Sequence, residues 1–109
     1  IPDDMWPILQ DPDLRLLLSV ASAWELAIKS ARGRLALPGG VQGFVGEGCR
    51  RAGVSMLGID LAHTAEVERL PHHHRDPFDR MIVAQARVEP LVLLSLDSAL
   101  DQYDVRRTL

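Results

Sequence analysis

Five acidic side chains are placed to do chemistry together: Glu25, Asp60, Asp76, Asp79 and Asp97. Asp60 and Asp97 each close a short apolar run, and Glu25 follows another such run by about one helical turn. Asp76-Pro77-Phe78-Asp79 puts two carboxylates at the start of a helix, with proline at the first helical position. Carboxylates gathered at one place repel each other unless a cation sits among them. Mg2+ and Mn2+ favour carboxylate and water oxygens and commonly act on phosphates. A cation so held activates water near neutral pH and stabilises the charge that develops in phosphodiester hydrolysis.

The same residues also fit a purely local role. Ser22-x-x-Glu25 reads as a capping box, and Asp76 reads as an N-cap with an acid at the third helical position. Helix N-termini favour acids with or without a metal. Other groups carry less. His72-His73-His74-Arg75 is a loop that leads into the Asp76 helix and could contact phosphates. His63 reads as a helix-surface residue. Lys29, Arg32 and Arg34 make a local basic strip, while Trp24, Cys49 and Phe78 fall on apolar stripes and read as core. There is no glycine-rich phosphate loop and no Gly-x-Ser-x-Gly nucleophile elbow.

The acids converge only if the elements carrying them do. A short helix is predicted over residues 5–9, before Asp11-Pro12. Apolar runs at 14–21, 54–59 and 91–96 read as strands covered on both faces. Helical periodicity marks 22–32, 41–52, 62–70 and a helix opening at Asp76-Pro77; Gly33 is placed to close the first of these. One or two further helical turns at 98–103 and a final strand from Val105 complete the order. Strands alternating with helices imply an α/β fold with a mostly parallel sheet. In such a sheet, strand C-termini and helix N-termini share one edge, where ligands bind.

The chain has 109 residues, 47% hydrophobic and 25% charged, with a net charge of −3. This is the composition of one soluble globular domain, without a long nonspecific basic surface for nucleic acid. No apolar run reaches membrane-spanning length. A single cysteine excludes an internal disulfide framework.

Three stretches resemble the PIN-domain toxins of the VapC type. They are Ser22-Ala23-Trp24-Glu25-Leu26-Ala27-Ile28-Lys29 with Gly33-Arg34-Leu35, the run from Leu70 through His72-His73-His74-Arg75-Asp76-Pro77-Phe78-Asp79-Arg80 to Ala86, and Leu93-Leu94-Ser95-Leu96-Asp97 with Tyr103. The resemblance implies a three-layer α/β/α sandwich and a Mg2+- or Mn2+-dependent endoribonuclease of the bacterial cytoplasm. It also implies an RNA substrate, a cognate VapB-type antitoxin and a homodimer. By motif, Glu25, Asp79 and Asp97 match the family's second, third and fourth acids and would be the catalytic metal ligands. Asp76 matches a recurrent acid beside them, and Ser95 a common hydroxyl position. Lys29, Arg32, Arg75 and Arg80 are candidates for positioning the RNA backbone, and Asp76 could pair with Arg80.

The family pattern opens with a strand ending in Leu-Leu-Asp-Thr, which supplies the first acid. That opening is absent from these 109 residues, and Asp3 and Asp4 follow no apolar strand. Without it, the strands at 14–21 and 91–96 would be left about 10 Å apart. The expectation is thus an N-terminally incomplete PIN domain, which roughly 20 residues would restore, or a slot filled by another chain. Two rival readings follow: a catalytically incomplete PIN-like module that binds RNA or protein, and a structural domain in which every acid is a cap.

Overall fold

A computed structural model describes residues 15–89, 91–94, 100, 102–103 and 105–108. The short helix expected over 5–9 lies outside these residues, as do Ser95, Leu96 and Asp97. The described chain forms two compact units, divided between Gly58 and Ile59.

The first unit runs β1 (Leu17–Ser19), α1 (Val20–Ala31), α2 (Gly40–Ala52) and β2 (Ser55–Leu57). β1 and β2 pair in parallel, with Leu18 opposite Met56. The strand expected over 14–21 is cut short by Ser19, whose hydroxyl accepts the Ala21 N–H at 3.1 Å and caps α1. The helix therefore starts two residues before Ser22. The Ser22–Glu25 capping box does not form, and Glu25 lies in the second turn of α1. Trp24 is not core either, with 58% of its surface exposed. Gly33 closes α1 as expected. At φ +72° it sits in the left-handed region, its N–H reaches Ser30 O at 3.0 Å, and the next N–H, from Arg34, reaches Lys29 O at 3.0 Å. This is the paired arrangement that satisfies the last carbonyls of a helix. α2 forms despite Gly43, Gly46 and Gly48 in its interior, and it packs against α1.

The second unit runs α3 (Leu61–Arg69), α4 (Pro77–Val88), β3 (Leu93–Leu94) and β4 (Arg107–Thr108). β3 and β4 pair in parallel, Leu93 opposite Arg107. Both pairings among the described residues are thus parallel, and helices separate β1 from β2 and β2 from β3 in the chain, as an α/β fold requires. The core gathers Leu70, Val83, Ala84, Leu100 and Tyr103, with Val67, Ile82, Ala86 and Val105 packed on it. The Tyr103 N–H returns to Leu100 O at 3.1 Å, one 3-10 turn within the stretch where one or two helical turns are expected; Ser98, Ala99 and Asp101 lie outside the described residues.

α3 and α4 are also tied by polar contacts. Glu66, buried on α3, accepts from Arg87 Nε of α4 at 2.7 Å and from Arg69 Nη2 at 2.7 Å. The Arg69 bond first, then the Arg87 bond, hold the Glu66 carboxyl below the usual carboxylate range. A carboxyl with a lowered folded-state pKa stabilises the fold above its unfolded pKa and loses that contribution as pH falls through the folded one.

Two predictions follow from these placements. The stability gap between the unsubstituted chain and Glu66→Gln should be widest at neutral pH and narrow as pH drops below the ordinary carboxylate range; a pH-independent gap in urea denaturation would contradict the assignment. Two exposed glycines should respond with opposite signs. A Cβ at Gly46 meets nothing within 4 Å, so Gly46→Ala should add about 1 kcal/mol through helix propensity. Gly33→Ala forces an L-residue into the left-handed region and should cost about 1 kcal/mol. Thermal melts of the two variants should move in opposite directions.

Candidate active site

The loop 71–76 and the first turn of α4 hold the densest set of expected site residues. Asp76 is the N-cap: its Oδ1 accepts from Phe78 N–H at 2.8 Å and Asp79 N–H at 3.2 Å. Pro77 at the first helical position has no N–H to satisfy and a preset φ. Asp79, one-third exposed, lies at the third helical position. An acid there often reaches back to the N-cap N–H to complete a capping box. Here the Asp76 N–H goes to His74 Nδ1 instead, at 3.1 Å. His74 Nε2 lies 3.4 Å from Asp79 Oδ2.

Behind the loop stands Arg80. The sequence assigns it to RNA, or to an ion pair with Asp76. The structure instead buries it, at 9% exposure. Its Nη1 donates to Pro71 O at 2.8 Å and to Tyr103 Oη at 3.3 Å; its Nη2 donates to Val67 O at 3.2 Å and Leu70 O at 3.4 Å. Three of these acceptors are carbonyls at the end of α3, where a helix leaves carbonyls unpaired and carries partial negative charge. Arg80 is thus spent on the fold, while Asp76 is spent on the cap. Tyr103 Oη also accepts the His74 backbone N–H at 2.9 Å, and His73 packs edge-on to the Tyr103 ring.

Glu25 belongs to the first unit. It sits half-buried on α1, 3.6 Å from Lys29 Nζ, the i,i+4 pair its spacing suggests. Arg32 and Arg75 are exposed. Asp97 and Ser95 lie outside the described residues.

Among the described residues, Asp60, His63 and Glu89 bring potential metal ligands within 4.8 Å of one another. His63, expected on a helix surface, is fully buried. It is the third residue of α3 and takes the side-chain part in a capping box. Its Nδ1 accepts the Asp60 N–H at 2.9 Å, and its Nε2 meets Glu89 Oε1 at 3.1 Å. A neutral imidazole that accepts at Nδ1 carries its proton on Nε2. That proton faces Glu89, so neither ring nitrogen offers a free lone pair to a metal. The trio is a helix-capping device. Sequence reasoning passed over Glu89; the Asp60-x-x-His63 spacing at a helix start signals the cap alone and gives no sign of the partner 26 residues on.

Comparison with known proteins settles the family. Residues 7–106 match the PIN domain. The chain belongs to the PIN domain family. This PIN domain is also similar to Ribonuclease VapC16 of Mycobacterium tuberculosis (strain ATCC 25618 / H37Rv), with 47% identity over 58 residues. The matched segment covers 53% of this chain and 41% of that relative, so it spans less than half of the relative's length. No solved structure gives a significant match. No described helix of the PIN domain is long and apolar enough to cross a membrane.

The buried guanidinium carries the prediction for this site. Arg80→Met strips donors from three backbone carbonyls and a tyrosine hydroxyl, and should destabilise the chain by about 3 kcal/mol. A shift in the urea midpoint equivalent to under about 0.5 kcal/mol, the usual range for surface changes, would show that the guanidinium does not hold this loop.

Proposed function

We propose that this PIN domain is a metal-dependent endoribonuclease toxin that hydrolyses RNA phosphodiester bonds and is neutralised by a cognate antitoxin. The observation that supports the reading most is the 47% identity to a ribonuclease of the VapC type over 58 residues. The donor set suits a hard cation. Asp76 caps α4, and the half-buried Asp79 carboxylate beside it has oxygens of the type that Mg2+ and Mn2+ prefer. Glu25, Asp79 and Asp97 would hold one or two such ions, directly or through water. When bound, the ion supplies Lewis acidity toward the attacking water and the leaving oxygen.

The chain's own residues do the rest. Asp76 and Pro77 fix the helix start that carries Asp79. Lys29, Arg32 and Arg75 meet RNA phosphates as point charges, which sets register without reading sequence. Lys29 lies within one helical turn of Glu25, so a cation ligand and a phosphate contact share that part of α1. The products are a 5′-phosphate and a 3′-hydroxyl. A VapB-type antitoxin laying a basic segment over the acidic site would block RNA by charge complementarity. A homodimer in the bacterial cytoplasm completes the reading.

The purified chain should cleave RNA with Mg2+ or Mn2+ and not with EDTA, and Asp79→Asn should lower the rate by about 100-fold or more. Cleavage that persists in EDTA, or an Asp79→Asn chain as active as the unsubstituted one, overturns the mechanism. RNA binding without cleavage would favour the catalytically incomplete module.

A further inference from the structure

We propose that the Trp24 indole is a stacking platform for one base of a single-stranded RNA. The inference adds a base subsite to the nuclease reading and rests on RNA being the substrate.

Trp24 falls on the apolar stripe of α1, yet 58% of its surface is exposed. Tryptophan is among the largest apolar side chains, and leaving most of it in water forgoes the burial that usually holds it in a core. One side of the stripe is charged. At 3.6 residues per turn, Arg32, Glu25 and Lys29 stand about 80°, 100° and 140° around the axis from Trp24, all in the same sense. Glu25 lies 3.6 Å from Lys29. Arg32 closes the helix through its backbone, its N–H reaching Ile28 O at 3.1 Å, and the residue is exposed. Arg34, just past Gly33, is exposed as well. Among the described residues, no ion pair engages either guanidinium.

An exposed aromatic ring flanked by cations suits a single strand of nucleic acid. Every base has a π face, so stacking tolerates sequence, while the cations follow the phosphates. From Trp24 to Arg32 the helix rises about 12 Å. A strand that lays one base on the indole therefore carries its next phosphates past Lys29 and Arg32, with Glu25 between them on the same side of α1. The competing occupant is a protein. Val20, 38% exposed, stands one turn before Trp24 and lengthens the apolar patch. Beyond Trp24, however, the stripe continues only as Ala27 and Ala31, which are too small to anchor a docked helix. The charges beside it complement an anionic strand.

Quenching of Trp24 emission reads the stack directly. The chain has two tryptophans, so the titrations use Trp6→Phe. They are run in EDTA to prevent metal-dependent cleavage, with a short oligoadenylate and an abasic strand of the same length. Oligoadenylate should quench the emission and the abasic strand should not. Fluorescence anisotropy of labelled strands, on chains that keep Trp6, gives a second measurement. Trp24→Ala should bind oligoadenylate about 10-fold more weakly, and Trp24→Phe should recover part of that loss. Neither should change the affinity for the abasic strand. Arg32→Gln should weaken both strands alike, because it removes a phosphate contact. Absence of oligoadenylate binding, equal affinities for the unsubstituted and Trp24→Ala chains, or a loss that the abasic strand shares overturns the proposal. So does a Trp24→Ala chain that keeps its oligoadenylate affinity and loses self-association in sedimentation, which assigns the patch to a protein. The nuclease reading fails separately: a chain that binds oligoadenylate through Trp24 in EDTA and cleaves no RNA with Mg2+ leaves the base subsite standing.

Discussion

A buried guanidinium at the end of a helix organises the second unit. α3 stops at Arg69 with carbonyls that have no partner in the helix, and the chain must then turn through 71–76 to start α4. Arg80 supplies planar, permanently charged donors to that helix end. Burying a charge is costly when it is unpaired, yet here the acceptors and the negative end of the helix together compensate it. Among the described residues, no buried side-chain nitrogen or oxygen lacks a partner. The core formed by Leu70, Val83, Ala84, Leu100 and Tyr103 closes around this arrangement. The loop that carries His74 and Asp76 takes its course from it.

The two acids at the start of α4 are not equivalent. Asp76 and Asp79 look alike in sequence, since both sit where a helix dipole favours an acid. In the structure one oxygen of Asp76 accepts both free N–H groups of the first turn. Asp79 donates its backbone N–H to that oxygen, and its own Oδ2 lies 3.4 Å from His74 Nε2. Two acids of one motif can therefore stand in different local settings at the same helix start.

Signals that depend on backbone geometry were readable in the chain. Asp76-Pro77 marks the start of α4, Gly33 marks the end of α1, and the parallel α/β pattern follows from alternating apolar runs and helical stripes. Competition between two similar candidates was not readable. Ser19 and Ser22 are both good caps, and only the fold shows that Ser19 is the one used, which moves Glu25 down a turn. Roles that depend on long-range partners were hidden altogether. Arg80 looks like a surface base beside an acid, and its acceptors lie up to 23 residues away. His63 looks like a polar helix residue until Glu89, 26 positions on, is found against its ring.

The ties between α3 and α4 fall at three heights. His63 meets Glu89 near one end, Glu66 meets Arg87 further along, and Arg80 grips the carbonyls of Val67, Leu70 and Pro71 at the other end. The two helices therefore run antiparallel in a register locked by polar bonds, where apolar contacts alone would tolerate sliding. Neither helix can fray fully without breaking bonds made by the other. The pair is thus a single cooperative unit of opening, and amide hydrogens at both of its ends would exchange through one shared event rather than by independent unravelling.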